Sequence, residues 1–233
     1  MNQNDKELIF AVKGGGKDCE SQDEPGEVLL IEGPTSGDVF VNGKAIVLER
    51  SSVGLDGKDH NTGVSTWDGS RKLALYLNDH ADLVKGKTCL ELGAGTGVGG
   101  LAALLLDAKH VVLTDLEYTL PQLEANVRAT VGSDASALAR VETKLVDWTD
   151  PSTYPVAQGS HDAAGYDILL AADVAWLDHL VDPLVKTIRA LVNPGTVLLL
   201  AHQSRSKEVD KHLFGALGEF LDVVPLHQDG KIS

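Results

Sequence analysis

Carboxylates recur at one kind of position in this chain, the end of an apolar run. Glu91 sits near the end of Thr88-Cys89-Leu90-Glu91-Leu92, Asp115 closes His110-Val111-Val112-Leu113-Thr114-Asp115, Asp147 follows residues 141–146, and Asp173 closes residues 166–172. The first run leads directly into Gly93-Ala94-Gly95-Thr96-Gly97-Val98-Gly99-Gly100. Glycine has no Cβ, so the backbone there can turn sharply and lie against a ligand while N–H groups at the next helix start face it. Gly95, Gly97 and Gly100 also fit G-x-G-x-x-G, and Asp115 follows Gly93 by about 20 residues, a spacing that suits a carboxylate gripping both hydroxyls of a ribose. The chemistry implied is the binding of a nucleoside cofactor. Glu91 lies inside a strand end, where a charge is costly unless paired, so it either binds the ligand or holds the loop.

These residues need a frame that brings strand ends together. The runs at 88–92, 110–115, 141–146, 166–173, 196–201 and 221–226 read as strands. Between them, residues 101–106, 120–127, 177–191 and 207–218 read as helices, with Pro121 suited to a first turn and Asn193-Pro194-Gly195 to a stop. Residues 63–77 give a further helix with Leu73, Tyr76 and Leu77 as core candidates. Strands alternating with helices predict an α/β fold with a mostly parallel sheet covered by helices on both faces. Ligands in such sheets bind beyond the carboxyl ends of the strands, where Gly93, Asp115, Asp147 and Asp173 all fall. Ahead of this domain, residues 1–62 read as an extension with apolar patches at 8–12 and 28–31, glycine-rich and acidic spacers, and a β-hairpin over 40–47 turning at Asn42-Gly43. The domain itself is assigned to residues 63–233.

Composition narrows the class. The chain has 233 residues, enough for one core of ordinary size, and carries 34 acidic against 20 basic residues for a formal charge of −14. A field of that sign repels phosphate backbones and attracts basic surfaces, so no nucleic-acid partner is expected. There is no apolar run near 20 residues and the first seven residues are polar, which predicts a soluble protein with no membrane partner. Cys19 lies in a polar stretch and Cys89 in a predicted strand, so no disulfide is expected and a cytoplasmic or nuclear location follows. The eight histidines show no ligand-like clustering, and no metal site is predicted. A monomer is expected.

The pattern as a whole resembles a known family. Residues 40–46, Gly63-Val64-Ser65-Thr66-Trp67-Asp68, residues 86–97, Leu113-Thr114-Asp115-Leu116, Asn126, Trp148 and Ala172-Asp173-Val174-Ala175-Trp176 look like family 16 of the seven-strand, Rossmann-like protein-lysine methyltransferases. The resemblance runs in order from about residue 38 to 226. It implies S-adenosyl-L-methionine as methyl donor and proteins as substrates, usually at lysine. It further implies that Trp67 lies over the cofactor, that Gly93 and Gly95, with Ala94 and Gly97, give backbone contacts, and that Asp115, followed by Leu116, binds the ribose. By the same resemblance Glu91 lies near the methionine end, Trp148 beside the adenine with Asp147 near its amino group, and Ala172 close to the reaction centre. Asp173 opens the family's D-x-x-Y signature, but position 176 is Trp176, which keeps a π face and lacks the phenolic hydroxyl. The family normally ends on a further strand pairing with the sixth, and Lys231-Ile232-Ser233 stops too soon for it, so the last strand is expected to be missing or replaced.

Methyl transfer from a sulfonium is an in-line displacement, which asks the protein to align a neutral amine and exclude water. Asp173 reads either as the group that orients the incoming ammonium or as an N-cap for the helix after it. Trp176 reads either as a cation–π wall or as packing under that helix. A lysine side chain is the expected acceptor. Rival readings are a small amine or a protein histidine as acceptor, a non-catalytic cofactor-binding module, and an NAD-linked oxidoreductase, which is disfavoured because no proton-relay motif follows the glycines.

Overall fold

A computed structural model describes residues 7–13, 38–49, 66–155 and 165–225. In chain order the elements are β1 (Glu7–Lys13), β2 (Val39–Val41), β3 (Lys44–Ile46), α1 (Asp68–Asp79), β4 (Thr88–Leu92), α2 (Val98–Leu105), β5 (His110–Asp115) and α3 (Leu120–Val131). Then follow α4 (Ala135–Leu138), β6 (Val141–Leu145), β7 (Ile168–Ala172), α5 (Asp178–Leu191), β8 (Val197–Gln203), α6 (Lys207–Gly218) and β9 (Asp222–Pro225). Every strand from β4 onward and the helices α1, α2, α3, α5 and α6 lie on stretches whose periodicity announced them.

The main sheet has the order β6-β5-β4-β7-β8-β1-β9, with β6, β5, β4, β7 and β8 parallel. Its central strands are apolar on both faces because both faces are covered, as continuous runs such as Ile168–Ala172 require. Alternate residues go to alternate layers. Cys89, Val111, Leu113 and Leu170 pack with α1, α2 and α3, whereas Leu90, Val112, Leu169 and Leu198 pack with α5 and α6. The hairpin β2–β3 forms where Asn42-Gly43 predicts it and buries Val39, Val41 and Ile46 in the first of these layers.

Of the two expectations for the last strand, missing or replaced, the sheet bears out replacement. β1 runs antiparallel to both neighbours, pairing Glu7 with Gln203 through Lys13 with Val197 on one side, and Phe10 with Pro225 through Lys13 with Asp222 on the other. The slot beside the sixth strand of the domain is thus filled from the opposite end of the chain. The boundary drawn at residue 62 therefore crosses the sheet, since β1 lies before it and is hydrogen-bonded within it. Residues 8–12 read as an apolar patch with no assigned partner, and a run of that kind does not carry the identity of its neighbours. The apolar patch at 28–31 and the acidic spacer lie outside the described residues.

Candidate active site

The carboxyl ends of β4, β5 and β7 open into a cleft of about 340 Å³. That size suits a small-molecule ligand. From β4 the chain enters the glycine turn, where Ala94 N–H donates to the Thr114 carbonyl at 2.9 Å and Gly97 N–H to the Ala94 carbonyl at 2.7 Å. Gly93, Ala94 and Gly95 line the cleft. Gly93 has φ +60°, and a Cβ there would stand 2.9 Å from Val174 Cγ1 and 3.1 Å from Trp148 Cζ2, so only glycine serves both backbone and space. Gly97 does not line the cleft. It caps α2 at φ +83° with its open side against Leu123, so its requirement for glycine is helix entry and core packing.

Glu91 is also absent from the lining. Its Oε2 accepts from Gly100 N–H at 2.8 Å, behind the glycine turn, tying β4 to the first turn of α2. Of the two sequence readings, holding the loop is the one its position supports. Burial pushes its carboxyl up to about 8, Asp115 nearby adds to the rise, and the N–H groups of Gly100 and Gly99 oppose it.

Asp115 is fixed by its own neighbourhood. Its Oδ2 accepts from Gly95 N–H and its Oδ1 from Leu116 N–H, each at 2.7 Å. Burial raises its carboxyl above the usual range, with those bonds opposing. Each oxygen keeps a further lone pair for a ligand hydroxyl, and both Asp115 and Leu116 line the cleft. Asp147 accepts from Thr149 N–H at 2.8 Å and Thr149 Oγ1 at 2.6 Å, a local turn that presents Trp148. Tyr154 OH donates to the Trp148 carbonyl at 2.7 Å and secures the turn. Asp147 and Trp148 both line the cleft, the indole facing Gly93.

The other end is built from α1, β7 and β8. Asp173, just beyond β7, has φ +54°, uncommon outside glycine, and its N–H donates to the Ala201 carbonyl at 2.9 Å. Its Oδ2 accepts from Gly69 N–H and its Oδ1 from Gln203 N–H, each at 3.1 Å, and only 3% of the side chain is exposed. The N-cap of the following helix α5 is Leu177, so Asp173 serves the first turn of α1 instead. Ala172 and Asp173 line the cleft, and so do Trp67 and Trp176, which are 37% and 41% exposed and stand at its mouth. Trp176 is therefore not packing beneath α5.

Arg205 also lines the cleft and is not among the residues the sequence singles out. Its Cζ lies 4.8 Å from the Trp67 ring centroid, and its Nη2 is 4.0 Å from Asp173 Oδ2 and donates to Gln203 Oε1 at 2.9 Å. The available signal was its place just after β8, where the strand-end rule points. Tyr118 and Thr149, which also line the cleft, follow Asp115 and Asp147 at the same kind of position.

This donor set fits S-adenosylmethionine. A glycine face, a carboxylate held by two backbone N–H groups and an indole lie at one end. The Asp173 carboxylate and the Trp67 and Trp176 indoles lie at the other. Comparisons with known proteins agree. A family profile described as lysine methyltransferase matches residues 52–220. EEF1A lysine methyltransferase 3 of Xenopus tropicalis is 32% identical over 157 residues, 66% of this chain and 64% of its own length. Protein N-lysine methyltransferase METTL21A of Danio rerio is 32% identical over 182 residues, 78% of this chain and 79% of its own. A solved Streptococcus mutans structure described as a SAM-dependent methyltransferase shares the fold, with TM-score 0.52 and 16% identity over 83% of this chain and 49% of that chain. With the family match extending over the whole cleft, from Trp67 to Arg205, the chain belongs to the lysine methyltransferase family and is an S-adenosylmethionine-dependent enzyme.

Proposed function

We propose that this protein-lysine methyltransferase holds its cofactor between the glycine turn, Asp115 and Trp148, and receives the acceptor lysine at Asp173 between Trp67 and Trp176. One observation carries this: Asp115, pinned by the Gly95 N–H, lines the same cleft as Asp173 and the exposed indoles of Trp67 and Trp176. Bound S-adenosylmethionine supplies an electrophilic methyl on a positively charged sulfur. Asp115 would hold the ribose and Trp148 the adenine, with Asp147 available to its amino group, while Gly93 and Gly95 would let the backbone approach. Trp67 and Trp176 exclude water and offer π faces to a cationic side chain. The acceptor ammonium gives one proton to water. Its nitrogen lone pair would then take the methyl that the bound donor supplies, the donor leaving as the neutral thioether. Asp173 orients that nitrogen in line with the methyl.

The partner is a protein with a basic surface, approached by a monomer of charge −14 in the cytoplasm, with neither nucleic acid nor membrane required. Replacing Asp18, Glu20, Asp23 and Glu24 by their amides leaves β1 untouched. It should raise the KM for protein without changing cofactor affinity.

The deciding experiment is transfer of labelled methyl into a cell lysate by wild type and by Asp173→Ala. A discrete protein band that requires Asp173, yielding methyl-lysine on digestion, is the expected result. Label in methyl-histidine or in a small amine alone would replace the acceptor, and label retained by Asp173→Ala would remove Asp173 from its role.

A further inference from the structure

We propose that Arg205 is a positioning residue that neutralises Asp173, so that the acceptor pocket does not hold the incoming amine in its protonated form. The inference rests on the function proposed above. Amine methylation needs a free lone pair, and an ordinary lysine, ionising near 10.4, is neutral in only about one molecule in two to three thousand at pH 7. Among the described residues, the titratable side chains lining the cleft are Asp115, Tyr118, Asp147, Asp173 and Arg205, and none of these is a histidine or lysine. Asp68 and Arg71 of α1, Asp178 of α5 and His202 of β8 lie on the surrounding elements but outside the lining.

An isolated carboxylate at Asp173 would bind the ammonium well and, by the same attraction, raise its pKa and retain the proton. The surroundings of Asp173 oppose this. Both oxygens already accept backbone N–H groups, from Gly69 and Gln203, and the guanidinium of Arg205 stands 4.0 Å from Oδ2. A guanidinium does not lose its proton in proteins, so this is a fixed charge. It is also held in place. It lies over the Trp67 ring and is hydrogen-bonded to Gln203. The turn that carries it is braced where Ser204 Oγ bonds Asp210, His202 Nε2 lies 2.7 Å from the same carboxylate, and Ser206 caps α6. Asp173 thus retains its geometry for aligning the nitrogen while the pair presents little net charge. Losing the guanidinium would raise the ionisation of the bound amine by roughly one to two pH units, for a unit charge a few ångströms away at intermediate dielectric.

The test compares wild type, Arg205→Gln and Arg205→Lys, each checked for folding by circular dichroism. The readouts are kcat/KM for the protein acceptor across pH, and the affinity for S-adenosylhomocysteine by calorimetry. For Arg205→Gln the pH profile should move to the alkaline side by one to two units. Activity near neutral pH should fall about ten- to a hundredfold and recover at high pH, with S-adenosylhomocysteine affinity within about threefold of wild type. Arg205→Lys keeps the charge and should keep the position of the profile, though at a lower plateau because the planar stack on Trp67 is lost. A loss in Arg205→Gln that is equal at every pH, or no loss, would overturn the proposal. So would a collapse of S-adenosylhomocysteine affinity, which would make Arg205 a cofactor ligand. If wild type labels no protein lysine at any pH, the functional reading itself has failed, a result separate from any behaviour of the variants.

Discussion

The two ends of the cleft are built in opposite ways. At the nucleoside end, Gly93, Gly95, Asp115, Asp147 and Trp148 come from one continuous stretch of alternating strands and turns. The two carboxylates are fixed by backbone groups of their own or the neighbouring strand end, Asp115 by Gly95 and Leu116 and Asp147 by Thr149. At the acceptor end, Trp67, Asp173 and Arg205 come from α1, β7 and β8, and each depends on the other two elements. A nucleoside is the same in every turnover and can be held by a local motif. An acceptor pocket that must exclude water and align a mobile side chain needs walls from several segments, and its geometry is exposed to changes far away in the chain.

The largest effect should come from breaking the nucleoside end. Asp115→Ala removes the carboxylate proposed to hold the ribose and also leaves the Gly95 and Leu116 N–H groups without their acceptor, so two kinds of contact are lost at once. Unmet buried donors cost about 1–3 kcal/mol each. Calorimetry with S-adenosylhomocysteine should show binding weakened by at least about a hundredfold, with methyl transfer falling in step. The comparison predicts a different pattern for Asp173→Asn, which keeps the volume and one acceptor oxygen. Turnover should fall about a hundredfold while S-adenosylhomocysteine affinity stays within about threefold, because the change falls in kcat alone when an interaction belongs to the reacting geometry. If both variants lose cofactor binding alike, the two ends are not separable and the comparison fails.

Legibility in the sequence follows the same division. The nucleoside end was readable because its acids and glycines stand at fixed offsets from apolar runs, and those offsets are what a strand–turn–helix unit imposes. Asp173 was readable in the same way, as the acid closing residues 166–172, whereas Trp176 was found through the family pattern. Arg205 was not, because nothing local to Gln203-Ser204-Arg205-Ser206 says that β8 lies beside β7 or that α1 begins opposite. Glu91 and Gly97 were placed in the site because the motif contains them. The structure puts both behind the loop, one against Gly100 and one against Leu123, where packing of α2 decides the residue type. β1 escaped for a related reason. Its slot between β8 and β9 is a long-range antiparallel pairing, and neither sequence distance nor periodicity encodes it.

A smaller effect should follow from Gly93→Ala, which tests whether close backbone approach at the nucleoside end is needed. The new methyl group meets Val174 and Trp148 and forces a side chain to adopt φ +60°, a strain of order 1–2 kcal/mol before any ligand is present. S-adenosylhomocysteine affinity should fall about tenfold, and Asp173-dependent chemistry should persist at saturating cofactor. Unchanged affinity would mean that the indole of Trp148 yields freely and is not a fixed wall.

The smallest effect on catalysis comes with a change in stability, and it separates the loop's frame from the chemistry of the acceptor. Glu91 has a carboxyl raised from 4.5 to about 8 by burial, so the folded protein holds this proton more tightly than the unfolded chain does. Between those values the native state binds more protons, and its stability must fall as pH rises, by up to about 1.4 kcal/mol per pH unit from this group. Above about pH 8 the carboxylate is charged and buried, with Gly100 and Gly99 N–H groups as its compensation. Glu91→Gln keeps an oxygen to accept from Gly100 and removes the titration. Urea unfolding at several pH values should therefore show a flatter dependence between pH 4.5 and 8, with the variant gaining on wild type toward the alkaline end. The pH dependence of kcat/KM should keep its wild-type position, since Glu91 does not line the cleft. If the catalytic profile moved with the stability profile, the glycine loop would transmit its protonation to the acceptor end, and the two halves of the site would have to be treated as one electrostatic unit.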